Sequence, residues 1–312
     1  MRKKERIEYT TIGGQALMEG ILMKGDSHYA IATRLNDGSI SLKKWPLQSI
    51  SEGREYLKLP FLRGIAILFD SLKRGMGAIE YSADQLGIDD EKPGRLEVFL
   101  SKFLGKELAS NILEGISIVL VVIIAFVFFF FLPSLLSSWI NEPFLRSFCE
   151  ALLRILFFLI YILFISHFEE LKRVFMYHGA EHKTISCYEH KEELTVENVR
   201  KYSIVHPRCG TSFLANLVII SSLFMSFFTF ENLALRVIFR ILMIPVFMGL
   251  TYELNLWTSR SSSFLSKILI LPGQWIQKIA TVKEPTDDMM ECAIVAMKAV
   301  LPEDEVEEIE DF

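Results

Sequence analysis

Four long apolar stretches constrain this chain more than any other feature. The first runs from Ile112 to Leu132, ends in Phe128 to Phe131, is closed by Pro133 and carries one charge, Glu114, at its start. A helix of about 20 residues spans the ~30 Å hydrocarbon core of a bilayer, so this stretch alone can cross one. A second, Ala151 to Phe168, holds Arg154 near one end, where the side chain can snorkel. The third, Phe213 to Phe230, is uncharged, and the fourth, about Leu235 to Leu256, includes Arg236, Arg240 and Glu253. Composition agrees: 51% hydrophobic with 25 phenylalanines is apolar for a soluble enzyme, yet 23% charged is too polar for a bare membrane bundle. The expected fold class is therefore an α-helical integral membrane protein with about four transmembrane helices plus an α+β cytoplasmic part.

Lys and Arg in the flanking segments set the expected orientation. The 133–150 link holds only Arg146, whereas 169–212 carries Lys172, Arg173, Lys183, Lys191, Arg200, Lys201 and Arg208. Both termini and the central connection are expected in the cytoplasm, with a multi-pass chain in the cell membrane. A net charge of -5 offers no basic stripe for nucleic acid, and four cysteines without a CxxC pair exclude a disulfide or zinc-ribbon framework. The opening Met1 to Arg6 lacks the apolar region of a cleaved signal peptide.

These readings divide the chain into five pieces. Residues 1–111 form a cytoplasmic α+β region: Tyr29–Leu35 and Ser39–Trp45 flank Asn36-Asp37-Gly38 as a β-hairpin, and Phe61 to Leu86 is spaced as an amphipathic helix. Transmembrane helices 1 and 2 occupy 112–168, a cytoplasmic connection 169–212, and transmembrane helices 3 and 4 occupy 213–256. The cytoplasmic tail, 257–312, has an amphipathic helix near 286–300 and an acidic finish, Glu303 to Asp311. Oligomerisation is compatible with this plan.

The chemistry gathers in the central connection, which holds four of the six histidines. In His178-Gly-Ala-Glu181-His182, a helix puts both histidines on one face one turn apart, as two ligands of one ion must be. Glu181 stands beside them as a general base. This is the HxxEH arrangement of the inverted zinc peptidases, though the likeness stops at these three residues. His206-Pro-Arg-Cys209 returns an imidazole and a thiol to the same end of the bundle, which suits zinc or another late transition metal. Its alternative is a proline turn with a buried cysteine. Glu253, at the cytoplasmic end of the fourth stretch, is either a third ligand, a proton carrier, or an interfacial carboxylate paired with Arg260 or Lys183. Gln15 and Glu19, in the Gly-rich segment Gly13 to Gly20, belong either to a loop closing over a site or to a strand and turn leading into the hairpin. Cys187 is a spare ligand or a core residue. Arg236 and Arg240 share a face and can bind lipid headgroups, pair with Glu231, or snorkel.

Four blocks together resemble one bacterial membrane family: Gly13-Gly-Gln-Ala-Leu-Met-Glu-Gly20, Tyr177-His-Gly-Ala-Glu-His-Lys183, Leu194-Thr-Val-Glu-Asn198 and His206-Pro-Arg-Cys-Gly-Thr-Ser-Phe213. The tail pieces Pro272-Gly273-Gln274, Glu284-Pro285-Thr286 and Ala293-Ile294 are similar too. This is the YqhQ-like family, domain of unknown function 1385, and the resemblance implies a metal-dependent enzyme. Three functions compete. The first is a membrane-embedded zinc-type hydrolase of a peptide, a lipid or a lipid-linked precursor, with His178 and His182 as ligands, His206, Cys209 or Glu253 completing the shell, and Glu181 as base. The second is a scaffold or assembly factor with a structural histidine cluster. The third is a transporter or channel subunit using Arg236, Arg240 and Glu253.

Overall fold

Alternation of side chains decides how the N-terminal region folds. The computed structural model describes residues 10–47, 54–87, 101–102, 105–230, 232–261 and 263–302; the basic opening, Glu231 and the acidic finish lie outside them. Four strands, β1 (Gly13–Leu17), β2 (Gly20–Lys24), β3 (His28–Arg34) and β4 (Ile40–Pro46), pair antiparallel in the order β1-β2-β3-β4. The expected hairpin is β3–β4, turning at Gly38, whose φ of 88° a side chain would oppose. The Gly-rich segment takes the strand-and-turn form: it is a second hairpin, β1–β2, closing at the Leu17–Gly20 pair. Gly20 is required there, because a Cβ would stand 2.6 Å from the Ala32 carbonyl oxygen.

Two compact units divide the chain. The first comprises Met1–Gly87, Ile162–Leu217 and Pro245–Phe312. It includes the sheet, α1 (Leu62–Gln85), α4 (Glu169–Glu189), α5 (Val196–Arg200), α8 (Phe264–Ile276) and α9 (Asp287–Lys298). Because successive Cβ atoms alternate along a strand, Ile21, Met23, Ala30 and Ala32 share one face. They pack with Tyr177, Ala180 and Cys187 of α4 and with Met289, Met290, Ala293 and Met297 of α9. On the opposite face, Leu17, Leu22 and Ile31 meet Ala78 of α1, flanked by Tyr29, Trp45 and Tyr81. Helix α1 is amphipathic in an inverted sense. Its buried residues are small (Gly64, Ala66, Gly75, Ala78, Ser82), while Phe69, Leu72, Met76 and Ile79 are exposed.

The second unit comprises Ile88–Tyr161 and Val218–Ile244. Here α2 (Lys106–Phe126) continues through a π-helical segment, Val127–Phe131, into Leu132–Ser137. Helices α3 (Pro143–Ile165), α6 (Gly210–Met225) and α7 (Leu233–Arg260) contribute to both units. Among the described residues, three helices are long and apolar enough to cross a membrane: Gly115–Leu136, Pro143–Ile165 and Ile238–Arg260. The expected third crossing is the shorter helix Gly210–Met225, 16 residues long.

The second apolar helix starts well before the expected Ala151. Pro143 opens it, where a missing N–H costs nothing, and the Glu142 carboxylate accepts the N–H of Phe144 and Leu145. Charge did not stop the helix because it is paired: Arg154 donates to Glu150 one turn earlier at 3.1 Å, and Arg240 donates to the same oxygen.

Candidate metal centre

Helix α4 carries the HxxEH residues, and its start is set by charge and backbone. Phe168 is extended (ψ 132°), and Glu169 and Glu170 occupy the first turn, where carboxylates oppose the helix dipole. Its middle is pressed by the C-terminal tail. A Cβ on Gly179 would lie 2.1 Å from the Lys283 carbonyl oxygen, so only glycine allows this approach. The Lys283 N–H donates to the Phe175 carbonyl at 2.9 Å, pinning the tail to the helix. A second π-helical segment, Gln277–Thr281, precedes that contact and delivers the Thr281 carbonyl to His178.

Three ligand-type side chains converge. Ligand atoms of His178, His182 and Cys209 lie within 4.8 Å of one another. His178 Nδ1 faces the Thr281 carbonyl oxygen at 2.9 Å, and His182 Nδ1 faces the Ile204 carbonyl oxygen at 2.6 Å. A carbonyl only accepts, so both Nδ1 atoms carry a proton, and Nε2 is the atom through which each ring would meet an ion. His178 Nε2 is 3.1 Å from Cys209 Sγ. Cys209 immediately precedes α6, and the Thr211 N–H donates to its sulfur at 3.4 Å.

The electrostatics follow from this crowding. Burial opposes a charged His178, but the Cys209 sulfur beside it and their hydrogen bond outweigh burial and raise its pKa to about 9. Burial likewise opposes a Cys209 thiolate, yet the neighbouring His178 and His182 hold the thiol well below its ordinary range. Glu181 is pushed the other way, upward, mainly by burial; it is 5% exposed. One of its oxygens accepts the Gly14 N–H at 2.9 Å, while the other, Oε2, is buried with no hydrogen-bond partner among the described residues. Gly14 sits directly against it: a Cβ there would come 2.9 Å from the carboxyl carbon of Glu181.

The other candidates stand apart from this cluster. His206 is adjacent, its ring 5.5 Å from that of His182, but its nitrogens face other groups. Its Nδ1 accepts the Arg208 N–H at 3.4 Å and its Nε2 lies 3.6 Å from Glu189, while burial pulls its pKa down. Glu253 is held by the Arg63 guanidinium at 2.5 and 2.7 Å and by the Phe61 N–H at 3.0 Å, so it secures the start of α1. Its partner is thus neither Arg260 nor Lys183; Lys183 pairs with Glu284 at 2.6 Å. Gln15 faces away from Glu181 and lies against Gly75 of α1, as strand alternation from Gly14 requires. Glu19, at a φ of 50° in the β1–β2 turn, pairs with Arg173 and accepts from the Tyr177 hydroxyl at 3.2 Å. Cys187 is a core residue whose thiol burial pushes up to about 12.

Several residues that shape the site escape sequence reading. Gln277, fully buried, accepts the His206 N–H and donates to the His206 carbonyl, both at 3.0 Å, and also donates to Ser212. It thereby fixes the loop that presents Cys209. Glu189 accepts from Arg208 and from the Thr10 N–H at 3.0 Å, tying the N-terminal segment to the same loop. Only Gly14 had a visible signal, in the Gly13-Gly14 doublet.

Fold and site together define a helical protein with helices of membrane-crossing length, whose first unit carries a His–His–Cys cluster beside a buried, orphaned carboxylate oxygen. Residues 59–303 match the family described as "Protein of unknown function (DUF1385)". The chain is also 34% identical over 298 residues to "Uncharacterized protein YqhQ" of Bacillus subtilis (strain 168), covering 93% of this chain and 92% of that one. The chain belongs to the YqhQ-like, domain of unknown function 1385 family. No solved structure matches it.

Proposed function

We propose that this protein is a membrane-embedded metal-dependent hydrolase, with His178, His182 and Cys209 as protein ligands and Glu181 as general base. One observation carries the reading. The buried, unpartnered Glu181 Oε2 stands beside three ligand atoms that share one centre. The donor set fits a divalent ion of the zinc class: two imidazoles held through Nδ1 and one thiolate leave a fourth position open. Such an ion, when bound, acidifies a water and polarises an acyl or phosphoryl oxygen.

The remaining work falls to the chain's own residues. The Thr281 and Ile204 carbonyls fix both ring orientations. Gly14 holds Glu181 by one oxygen and leaves Oε2 to accept a proton from water. The raised pKa of Glu181 suits a group that must take a proton and then return it to a leaving group. His206 and Glu253 are assigned supporting roles, since their polar atoms are committed elsewhere.

The same reading has four crossings, with Gly210–Met225 and the apolar residues after it as the third, and both termini in the cytoplasm. The Lys and Arg bias of the 169–212 segment supports that orientation. A site at the cytoplasmic interface suits a peptide, lipid or lipid-linked substrate.

Metal analysis of detergent-purified protein tests the centre. Wild type is expected to hold about one equivalent of zinc, His182→Ala to lose it, and Glu181→Gln to keep it. Glu181→Gln should also lower turnover of the identified substrate by roughly 10²–10⁴-fold. Equal metal content in wild type and His182→Ala overturns the reading. Retained metal with full biological function in Glu181→Gln favours a closed structural site on a scaffold.

A further inference from the structure

The second unit holds a charge cluster that the metal centre does not use. Glu150 and Arg154 of α3 and Arg240 of α7 meet inside a stretch otherwise built from Phe, Leu and Ile. Arg154 and Arg240 both donate to Oε1 of Glu150, and the three side chains are only 9%, 7% and 1% exposed. Two guanidinium groups share one carboxylate. Arginine does not shed its proton as a buried lysine or histidine can, so among the described residues this cluster holds one positive charge more than its carboxylate balances. Among the described residues of this unit, no other buried carboxylate offsets it.

The protein supplies partial relief only. The π-helical segment turns the Phe129 carbonyl toward Arg154, whose Nε donates to it at 3.1 Å, and the Phe130 ring lies 5.3 Å from the guanidinium carbon. A carbonyl dipole and a ring face soften a cation without neutralising it. One turn before Glu150 on the same face of α3 stands Arg146. Its Nε is buried with no hydrogen-bond partner among the described residues. A third guanidinium therefore joins the same helix face.

We propose that Arg146, Arg154 and Arg240 form a binding site for a phosphate-bearing anion. The fork geometry of guanidinium matches phosphate oxygens two at a time, and a low-dielectric surround strengthens each contact. Ionisable side chains within apolar spans mark ligand or ion sites, which a purely structural ion pair would not require in excess of one sign. The anion is either the headgroup of an anionic phospholipid or free phosphate. The site is independent of the metal centre.

Native mass spectrometry of the full-length protein from phosphatidylcholine nanodiscs, with and without a minor fraction of phosphatidylglycerol, tests the first source. Thermal denaturation in pure phosphatidylcholine discs titrated with inorganic phosphate tests the second. The expected result is stoichiometric retention of phosphatidylglycerol, or a saturable rise in melting temperature with phosphate. Arg146→Gln and Arg240→Lys should each weaken it roughly tenfold or more, as the loss of one charge-assisted hydrogen bond requires. Arg240→Lys keeps the charge on Glu150, so it separates loss of the anion from loss of fold. Retention of the lipid without a phosphate response assigns a headgroup site, and the converse assigns free phosphate. Neither response in wild type, or a response that both substitutions leave unchanged, overturns the proposal.

Discussion

At the scale of single residues, Cys209 differs from the other unit-one cysteines in what surrounds its sulfur. Cys187 and Cys292 are enclosed by apolar packing that pushes both thiols up to about 12. Cys209 has two imidazoles beside it and the Thr211 N–H of α6 in front. Its lowered pKa extends the thiolate to lower pH than an ordinary thiol allows, and the thiolate is lost as pH falls through that depressed value. The paired charge on His178 is complete below its ordinary pKa and disappears as pH rises through about 9. Chelator-treated protein should therefore be alkylated by iodoacetamide at Cys209 at pH 6 to 7, with Cys187 and Cys292 unlabelled, as read by peptide mass spectrometry. His178→Ala should shift the labelling of Cys209 to higher pH. The HxxEH spacing made two of these residues legible, because a helix places i and i+4 side by side. Which of His206, Cys209 and Glu253 joined them was not legible. That choice depends on Arg63 claiming Glu253 from a segment 190 residues away and on Glu189 engaging His206.

At the scale of elements, two devices matter most. The π-helical segment Gln277–Thr281 does what a regular helix would not: it sets a side-chain amide and a main-chain carbonyl on two different parts of the site. Gln277→Leu removes the reciprocal pair with His206 while keeping bulk. It should weaken zinc affinity by about 10–100-fold, the usual cost of losing an outer partner of a ligand loop, measured by competition with a chromophoric chelator. Nothing in the local sequence marks Gln277 for this, since its partners come from a loop far upstream. Helix α1 was legible as amphipathic, but its sense was not. Small residues face the sheet, and Phe69, Leu72 and Met76 face outward at 61%, 54% and 66% exposure. An outward apolar face of this kind fits a lipid surface. A photo-crosslinking residue at position 76 should capture lipid in native membranes, whereas one at position 78 should capture Leu17 or Leu22 of the sheet. Lipid capture at neither position would assign that face to a protein partner.

At the scale of the whole molecule, the apolar runs announced themselves by length alone, and among the described residues three of them stand as helices of crossing length. What composition could not reveal is the sandwich in the first unit, where one sheet is covered by α1 on one face and by α4 and α9 on the other. Strand β1 was only half legible, as one of two readings of its segment, because its glycines carry no β-forming side chains; Gly14 is there for the close approach of Glu181. Deleting residues 277–312 should abolish metal binding even with all of His178, Glu181, His182 and Cys209 retained, because the Thr281 carbonyl and the α9 core go with them. Zinc content unchanged by that deletion would show the site to be self-supporting.

The contact between Gly179 and the Lys283 carbonyl has a consequence for how the protein matures. Residues near position 178 emerge from the ribosome roughly a hundred residues before the carbonyl partner at 281, and the apolar helices between them are made in the interval. The centre is therefore incomplete throughout synthesis and closes only when the tail lies down across α4. A chain that stalls during insertion exposes its histidines and thiol without the geometry to hold an ion firmly. On the proposed reading, the seating of one short tail segment would act as a completion signal that ties metal capture to a finished chain.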